Sequence, residues 1–438
     1  MGSNYPDATV KTAFNAAAGG NLTAGSTTIG YGAYATLLHM DSFGDAYGGG
    51  TTVVQTWQIT SDGMIRGGVR DATVEITSTI ETPKVPAFQY AAFATANGCG
   101  ALTFNGNTGT DSYNSAALAL GAAPKVCTAA VAATDKTCYQ PDGGDVGTNG
   151  NMLIDGGSVD VNGNLSTPRT GVGACTAGNV TALSGALTVN GGTPIQLPKA
   201  VTLPTPSIPT PAPGGALKVN NSSKVASICT DLGLTAANCN VTYPAGSDPV
   251  ITIQNTTSTP LHMQEVDLSA KANIVLVASP LSGISNEYDF NAISLSGGAS
   301  IAVSTPSPTA KVVVRVSGQD SSGNAIDPAI NFDGGTYAAP VGTCGALCSQ
   351  YDATLLQFVY GGPNSIVMTG NSAASATIYA PNSPATLKGT SDLYGAIVSQ
   401  TITVSGDMNI HYDQQLQALA WTHGSPMQTA FSWKNKFN

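Results

Sequence analysis

One short pattern recurs along this chain and restricts its fold more than any other feature. An apolar run closes on a polar residue, then a glycine, then a small or polar residue. It appears as Phe104-Asn105-Gly106-Asn107, Ile154-Asp155-Gly156-Gly157, Val161-Asn162-Gly163-Asn164 and Val189-Asn190-Gly191-Gly192. It returns as Leu295-Ser296-Gly297-Gly298, Phe332-Asp333-Gly334-Gly335, Met368-Thr369-Gly370-Asn371, Leu387-Lys388-Gly389-Thr390 and Val404-Ser405-Gly406-Asp407. The last three central glycines are 19 and 17 residues apart. Repeats of about twenty residues with short strands are the mark of stacked β-architecture, because one repeat cannot bury its own apolar strands. Glycine at each corner supplies the positive φ that a sharp bend needs. The expected fold is mainly β: a right-handed parallel β-helix (β-solenoid) preceded by a small β-sheet region. A β-sandwich with glycine-rich hairpins is the rival.

Composition agrees. Of 438 residues, 51 are Gly and 25 Pro, and only 10% are charged, against roughly 25% in ordinary globular chains. Hydrophobic residues make up 42%, enough for a long core and too many for a disordered chain. The net charge of −10 comes without any Lys/Arg cluster, which argues against nucleic-acid binding and against a basic membrane-surface helix. No run reaches the roughly 18 apolar residues of a membrane span. Met1-Gly2-Ser3 before Asn4 reads as a vector-derived start.

The domain boundaries expected are 1–86 and 87–438. Thr52 to Thr60 and Arg70 to Glu81 alternate as strands, with Ser61-Asp62-Gly63-Met64 as the turn between them. Val10 to Ala18 reads as the end of a helix, and a short helix is expected within 223–236. A proline-rich segment at 194–214 should be extended. Ile195, Leu197, Val201, Leu203 and Ile208 make it too apolar for a free linker, so it is expected to lie along the body.

Eight cysteines occur: Cys99, Cys127, Cys138, Cys175, Cys229, Cys239, Cys344 and Cys348. The even number without a CxxC favours disulfides and an oxidising compartment. Proximity suggests Cys344–Cys348, Cys229–Cys239 and Cys127–Cys138, leaving Cys99–Cys175.

Trp57-Gln58-Ile59-Thr60-Ser61-Asp62-Gly63 and Arg70-Asp71-Ala72-Thr73-Val74-Glu75 resemble the pilin-type sheet segment of bacterial PilX-like pilus-assembly proteins. Gly147 to Asn151, Ser166 to Arg169, Gly171 to Cys175 and Gly178 to Leu183 resemble the Gly/Asn-rich β-helical domain of that family. Leu393 to Val398 and Ile410 to Asp413 resemble its last coils, and Phe431-Ser432-Trp433-Lys434 its C-terminal tail. The resemblance implies a minor pilin-like, non-enzymatic structural or adhesive protein. It would be exported through the periplasm to the cell surface or medium of a bacterium, with other pilus subunits or a surface glycan as partner. The family's hydrophobic N-terminal helix is not in this sequence, so no membrane contact is expected of these residues. The closing coils resemble, more loosely, the β-solenoid of bacterial ice-binding adhesion modules.

Candidate chemistry is sparse. His39, His262, His411 and His423 form no HExxH or HxH pattern, and His411 reads as a coil-end packing residue. No G-x-S-x-G elbow or phosphate loop occurs. Gly30-Tyr31-Gly32-Ala33-Tyr34-Ala35 reads as a turn. Asp142, Asp145, Asp155 and Asp160 could meet on adjacent coils as a glycosidase pair, which keeps a carbohydrate-binding or carbohydrate-cleaving β-helix as an alternative. Asp142, Asp145 and Asp320 lie in loops whose oxygens could ligate calcium, the one cofactor considered. Asp and Asn in such loops otherwise cap their own backbone. Thr369, Thr386, Thr390, Thr401 and Thr403 could form a hydroxyl face. That face keeps an ice-binding module in view, and a self-assembling filament subunit is a further alternative.

Overall fold

The computed structural model describes residues 7–45, 47, 50–65, 72–119, 122–168, 175, 178, 180–197, 199–214, 217–219, 228–243, 248–269, 272–307, 309–334, 337–342, 350–390, 392–424 and 426–437. Two compact units divide the chain, one formed by 1–85 with 421–438 and the other by 86–420.

The first unit opens with a helix, Ala8–Ala17. Its N-cap Asp7 accepts hydrogen bonds from the Thr9 and Val10 backbone N–H groups, satisfying two of the donors a helix start leaves free. A five-stranded antiparallel sheet follows, in the order Gly19–Ala24, Thr27–Asp45, Gly50–Ile65, Ala72–Glu81 and Met427–Phe437. Three expectations are corrected here. Ser61 to Met64 is not a turn: Gly50–Ile65 runs through it, with Asp62 opposite Glu75. Gly30 to Ala35 lies inside the strand Thr27–Asp45. The closing residues do not continue the second unit, because Met427–Phe437 pairs antiparallel with Ala72–Glu81. The Lys434 ammonium meets the Glu75 carboxylate at 2.6 Å from the directly opposite position. Opposite charges across an antiparallel pair help set its register. Arg70 and Asp71 lie outside the described residues.

The second unit is mainly β and parallel. Among the described residues its strands form one 25-stranded sheet. Most strands pair in parallel with the strand three places later in the chain, so Ile274 lies on Ile301 and Val266 on Ile293. Each such step we call a rung. The inward positions make continuous columns. Val266, Ile293, Ile330, Ile366, Ala385, Ile402, Leu102 and Met152 follow one another in register. None of them is more than 2% exposed. Burial of such a column is what holds strands that have no hairpin partner of their own.

Rung order is not chain order. The late strands Asp392–Gly406 and Asn409–Asp413 lie against the early strands Ala92–Ala94, Leu102–Gly106 and Thr108–Tyr113. From those early strands the ladder continues through Met152–Val161 to Val180–Val189 and Ile195–Leu197. The chain thus enters in the middle and winds to one end. It begins again at the far end, where Leu217–Val219 lies on Val266–Leu268, and winds back to its entry.

The proline track makes the return. Asn149 brackets Val201, donating to its carbonyl and accepting from its N–H at 2.8 and 2.7 Å. The Tyr379 hydroxyl donates to Pro204 O, Asn382 to Thr205, and Arg315 to Ser207. Asn291 brackets Ala212 as Asn149 brackets Val201, and Gln264 donates to Pro213 O. Proline cannot donate, so a proline-rich strap has few N–H groups to satisfy, and side-chain amides from successive corners supply the rest. The lengths agree. From Val201 to Pro213 the strap spans about 37 Å at ~3.1 Å per residue, and the roughly seven rungs from Asn149 to Gln264 span about 34 Å at ~4.8 Å each. Asn291→Ala leaves the N–H and carbonyl of Ala212 without their amide partners, and Ala212 is only 7% exposed. That substitution is expected to cost about 2 kcal/mol and to raise cleavage of the strap by a proline-tolerant protease. Unchanged cleavage would show that the strap is held elsewhere.

The repeat glycines stack. A Cβ built on Gly406 would lie 2.5 Å from Gly389 O, and one on Gly389 would lie 1.9 Å from Gly370 O. One on Gly106 would lie 2.6 Å from Gly406 O, and one on Gly157 would lie 2.2 Å from Gly106 C. The sequence pattern therefore marks a corner where the backbone of each rung touches the next.

Candidate functional site

The densest group of titratable side chains lies where the last rung meets the first. Strand Asn409–Asp413 sits between Asp392–Gly406 and Thr108–Tyr113, so Tyr394, His411 and Asp111 fall in register on neighbouring strands. An excursion over 114–145, fastened by the Cys127–Cys138 disulfide, brings Tyr139 to this place. His411 is 6% exposed and lies between the rings of Tyr139 and Tyr394, at 4.5 and 4.8 Å. The two phenol oxygens are 3.0 Å apart. The His411 Nδ1 lies 2.6 Å from Asp111 Oδ1, and Nε2 lies 3.7 Å from Asp392 Oδ1.

Asp413 is fully buried beside this group. Its Oδ1 accepts from the N–H groups of Ser115 and Gln415, and its Oδ2 from that of Ala353. The Tyr412 hydroxyl donates to Phe88 O, Gln415 to Asn114, and Gln414 to the Ser112 hydroxyl. These bonds join residues some three hundred positions apart and close the seam between the unit's first and last strands in chain order.

Electrostatics follow from burial. Burial alone pulls the His411 ring down, but the Asp111 and Asp392 carboxylates more than reverse it and hold the pKa up at about 9. Burial lifts Asp413 to about 7 against its N–H donors, with Asp352 adding repulsion. Burial likewise raises Asp111, with His411 pulling the other way, and raises Asp352. A ring charged at neutral pH, with a carboxylate facing each nitrogen, has no free lone pair for proton abstraction. The neighbouring Ser112 hydroxyl is engaged with Asp142 O and Gln414. The arrangement fastens the seam, and the His411 ring is engaged on both sides.

A second charged column lies on His262, Asp289 and Arg315, also in register. His262 Nδ1 is 3.1 Å from Asp289, and Glu287 is 3.6 Å from Arg315. Burial raises Asp289 to about 6, opposed by His262 and Arg315.

The residues singled out in the sequence are used locally. Asp145 Oδ1 accepts from the backbone and side-chain amides of Asn164. Asp142 is exposed, and Asp155 holds Ser184. Asp320 caps its own loop, accepting from Ser322 and Asn324, and those bonds, Asn324 first, lower its pKa. Among the described residues no group of three or more His, Cys, Asp or Glu is placed to hold a metal ion. Disulfides join Cys99 to Cys175, Cys127 to Cys138 and Cys229 to Cys239, and Cys344 and Cys348 lie outside the described residues. The five threonines do not form one face. Thr386 and Thr403 align, with Thr103 as the next rung, but Thr369 and Thr390 turn to Asp333 and Asn371. Sequence reasoning missed Asp111, Asp392, Tyr139 and Tyr394. Nothing local marks them, since His411 meets Asp111 only once the unit's last strands have stacked on its first.

A family model described as Domain of unknown function (DUF7305) matches residues 291–419, a stretch that begins at the strap anchor Asn291 and includes His411 and Asp413. A comparison with curated proteins gives no match. Among solved structures, the crystal structure of competence-associated pilin ComZ from Thermus thermophilus is similar at 10% identity with a TM-score of 0.23, covering 92% of this chain and 88% of that chain. A likeness of that size decides neither fold nor function.

Proposed function

We propose that this is a non-enzymatic structural or adhesive protein of a bacterial surface, associated with pili, whose body is a right-handed parallel β-helix. The observation that carries the reading is the division of the second unit's outward faces. The proline strap runs along the face that holds Asp289 and Arg315, and Tyr139 of the 114–145 excursion stacks on His411. A separate outward face carries Asp267, Ser294, Asn331, Val367, Thr386, Thr403 and Thr103, one per rung and all half-buried. Short side chains spaced by about 4.8 Å make a flat surface that suits a polymer glycan or the side of a neighbouring subunit. Disulfides fit an exported protein. The pilus assignment draws on the resemblance of the Trp57–Gly63 segment and the closing Phe431–Lys434 segment to PilX-like proteins. Those segments occupy one antiparallel sheet.

Immunogold microscopy on the source cells tests the assignment. Label along pili or at their tips is the expected result, and label dispersed over the envelope or confined to the medium overturns it. Incubation with insoluble polysaccharides should give retention without release of reducing sugar, and sugar release would establish the enzymatic alternative.

A further inference from the structure

The two ends of the parallel ladder are built differently. At one end the chain folds a cap. Helix Ile228–Asp231 and the residues after it bury Ile228, Leu232 and Leu234. The Cys229–Cys239 disulfide ties this helix to strand Cys239–Thr242, which pairs antiparallel on Val250–Gln254 and stops the parallel stacking.

The other end has no such device among the described residues. Strand Val180–Val189 pairs with Met152–Val161 on one side only, and Ile195–Leu197 with Ser166 to Pro168. Ser184, Gly185, Ala186, Thr188 and Asn190 are exposed, and Ile195 is 47% exposed. The inward-facing Leu187 and Val189 are only half-buried, unlike the fully buried Val159 and Val161 one rung below. Asn190 N–H donates inward to Val161 O. Alternation along a strand therefore aims the backbone groups of Val189 and Leu187 off the end of the ladder.

Natural edge strands are shielded by charge or proline, because a bare edge recruits another strand. Val180–Val189 has neither, and no Asp, Glu, Lys or Arg occurs between Arg169 and Lys199 in a chain of net charge −10. Among the described residues this edge carries no such shield, which makes it a candidate pairing surface. We propose that this end docks onto the same end of a second copy, the two Val180–Val189 strands pairing antiparallel across a two-fold axis. The uncharged edge favours self-pairing: two acidic proteins meet here without like charges opposed, and an isologous contact closes as a dimer. The inference rests on the ladder and is independent of the pilus assignment.

Sedimentation velocity on the full chain at tens of micromolar tests it. A dimer is expected. Ala186→Lys with Thr188→Lys places like charges opposite each other and should weaken the dimer by about a hundredfold, as should Ala186→Glu with Thr188→Glu. Both positions are exposed, so each variant should keep the wild-type melting temperature. Mixing the Lys and Glu variants at low salt should restore a dimer, which a merely misfolded variant would not do. A wild type that stays monomeric, a dimer that survives both variants, or a mixture that fails to associate overturns the proposal. The first of these would leave the edge to a strand from a different protein.

Discussion

Gly389→Ala is expected to destabilise the second unit by about 4 kcal/mol, enough to abolish accumulation of folded protein in a marginal host. Two costs combine. Gly389 has φ +113°, a conformation that L side chains rarely adopt. An added Cβ would also stand 1.9 Å from Gly370 O and 2.9 Å from Gly370 C. Those are backbone atoms of the adjacent rung, fixed on both sides by the ladder, so relief requires moving the rungs apart. Gly283 separates the two costs. It has φ +87° with nothing within 4 Å of an added Cβ, so Gly283→Ala should cost only about 1 kcal/mol. Urea unfolding followed by far-ultraviolet circular dichroism reads both. Equal losses at the two positions would mean that the corner is not crowded and that the glycine column reflects bending alone.

That column is also where sequence and structure meet most directly. Gly370, Gly389, Gly406 and Gly106 are visible as a motif because the steric demand is local and falls on one residue type. The apolar columns were visible for a similar reason, each strand carrying its own alternation. The strap does lie along the unit, but hydrogen bonds hold it and two of the apolar residues that suggested it, Ile195 and Ile208, are exposed; its anchors are not legible in the sequence. Asn149 and Asn291 look like any turn asparagine until their amides are seen closing on Val201 and Ala212. Ser61-Asp62-Gly63-Met64 misled because turn composition within a strand is tolerated when both neighbours are in register. The fate of Met427–Phe437 was hidden for a different reason. Its pairing with Ala72–Glu81 spans most of the chain, and no local pattern encodes a partner at that distance. The seam shares this property. Its parts are ordinary residues, and their meaning arises only from the order in which the rungs are laid down.

The seam also sets how stability should respond to pH, and the expected response opposes the common one. Asp413 rises from 3.8 to about 7, His411 from 6.5 to about 9, and Asp289 from 3.8 to about 6. Burial raises Asp111 and Asp352 as well. Each of these groups holds its proton more tightly folded than unfolded. The folded state therefore binds more protons between the two pKa values, and stability falls as pH rises. The Asp413 contribution is full below its unfolded value and is lost as pH rises through about 7. The His411 contribution is full below 6.5 and is lost as pH rises through about 9. At ~1.4 kcal/mol per pKa unit the first is worth about 4 kcal/mol and the second about 3. The exposed Asp135 and Asp320 shift the other way through their own loop hydrogen bonds, but water screens both; burial also lowers Lys311, which opposes the trend only at the alkaline extreme. Urea midpoints for the wild type should therefore be highest near pH 4 and decline from there toward pH 9. Asp413→Asn should lower the whole curve, because its side-chain amide now faces the Ala353 N–H, and should flatten the acid half. His411→Gln should flatten the alkaline half and leave the acid half sloping. A wild-type profile that is level or climbs between about pH 5 and 8 would mean that Asp413 is charged in the folded state, with its three N–H donors outweighing burial. The seam would then be a set of ordinary paired charges. A falling profile means that the last rung is fastened to the first by groups that favour protons, so the body tightens in acid.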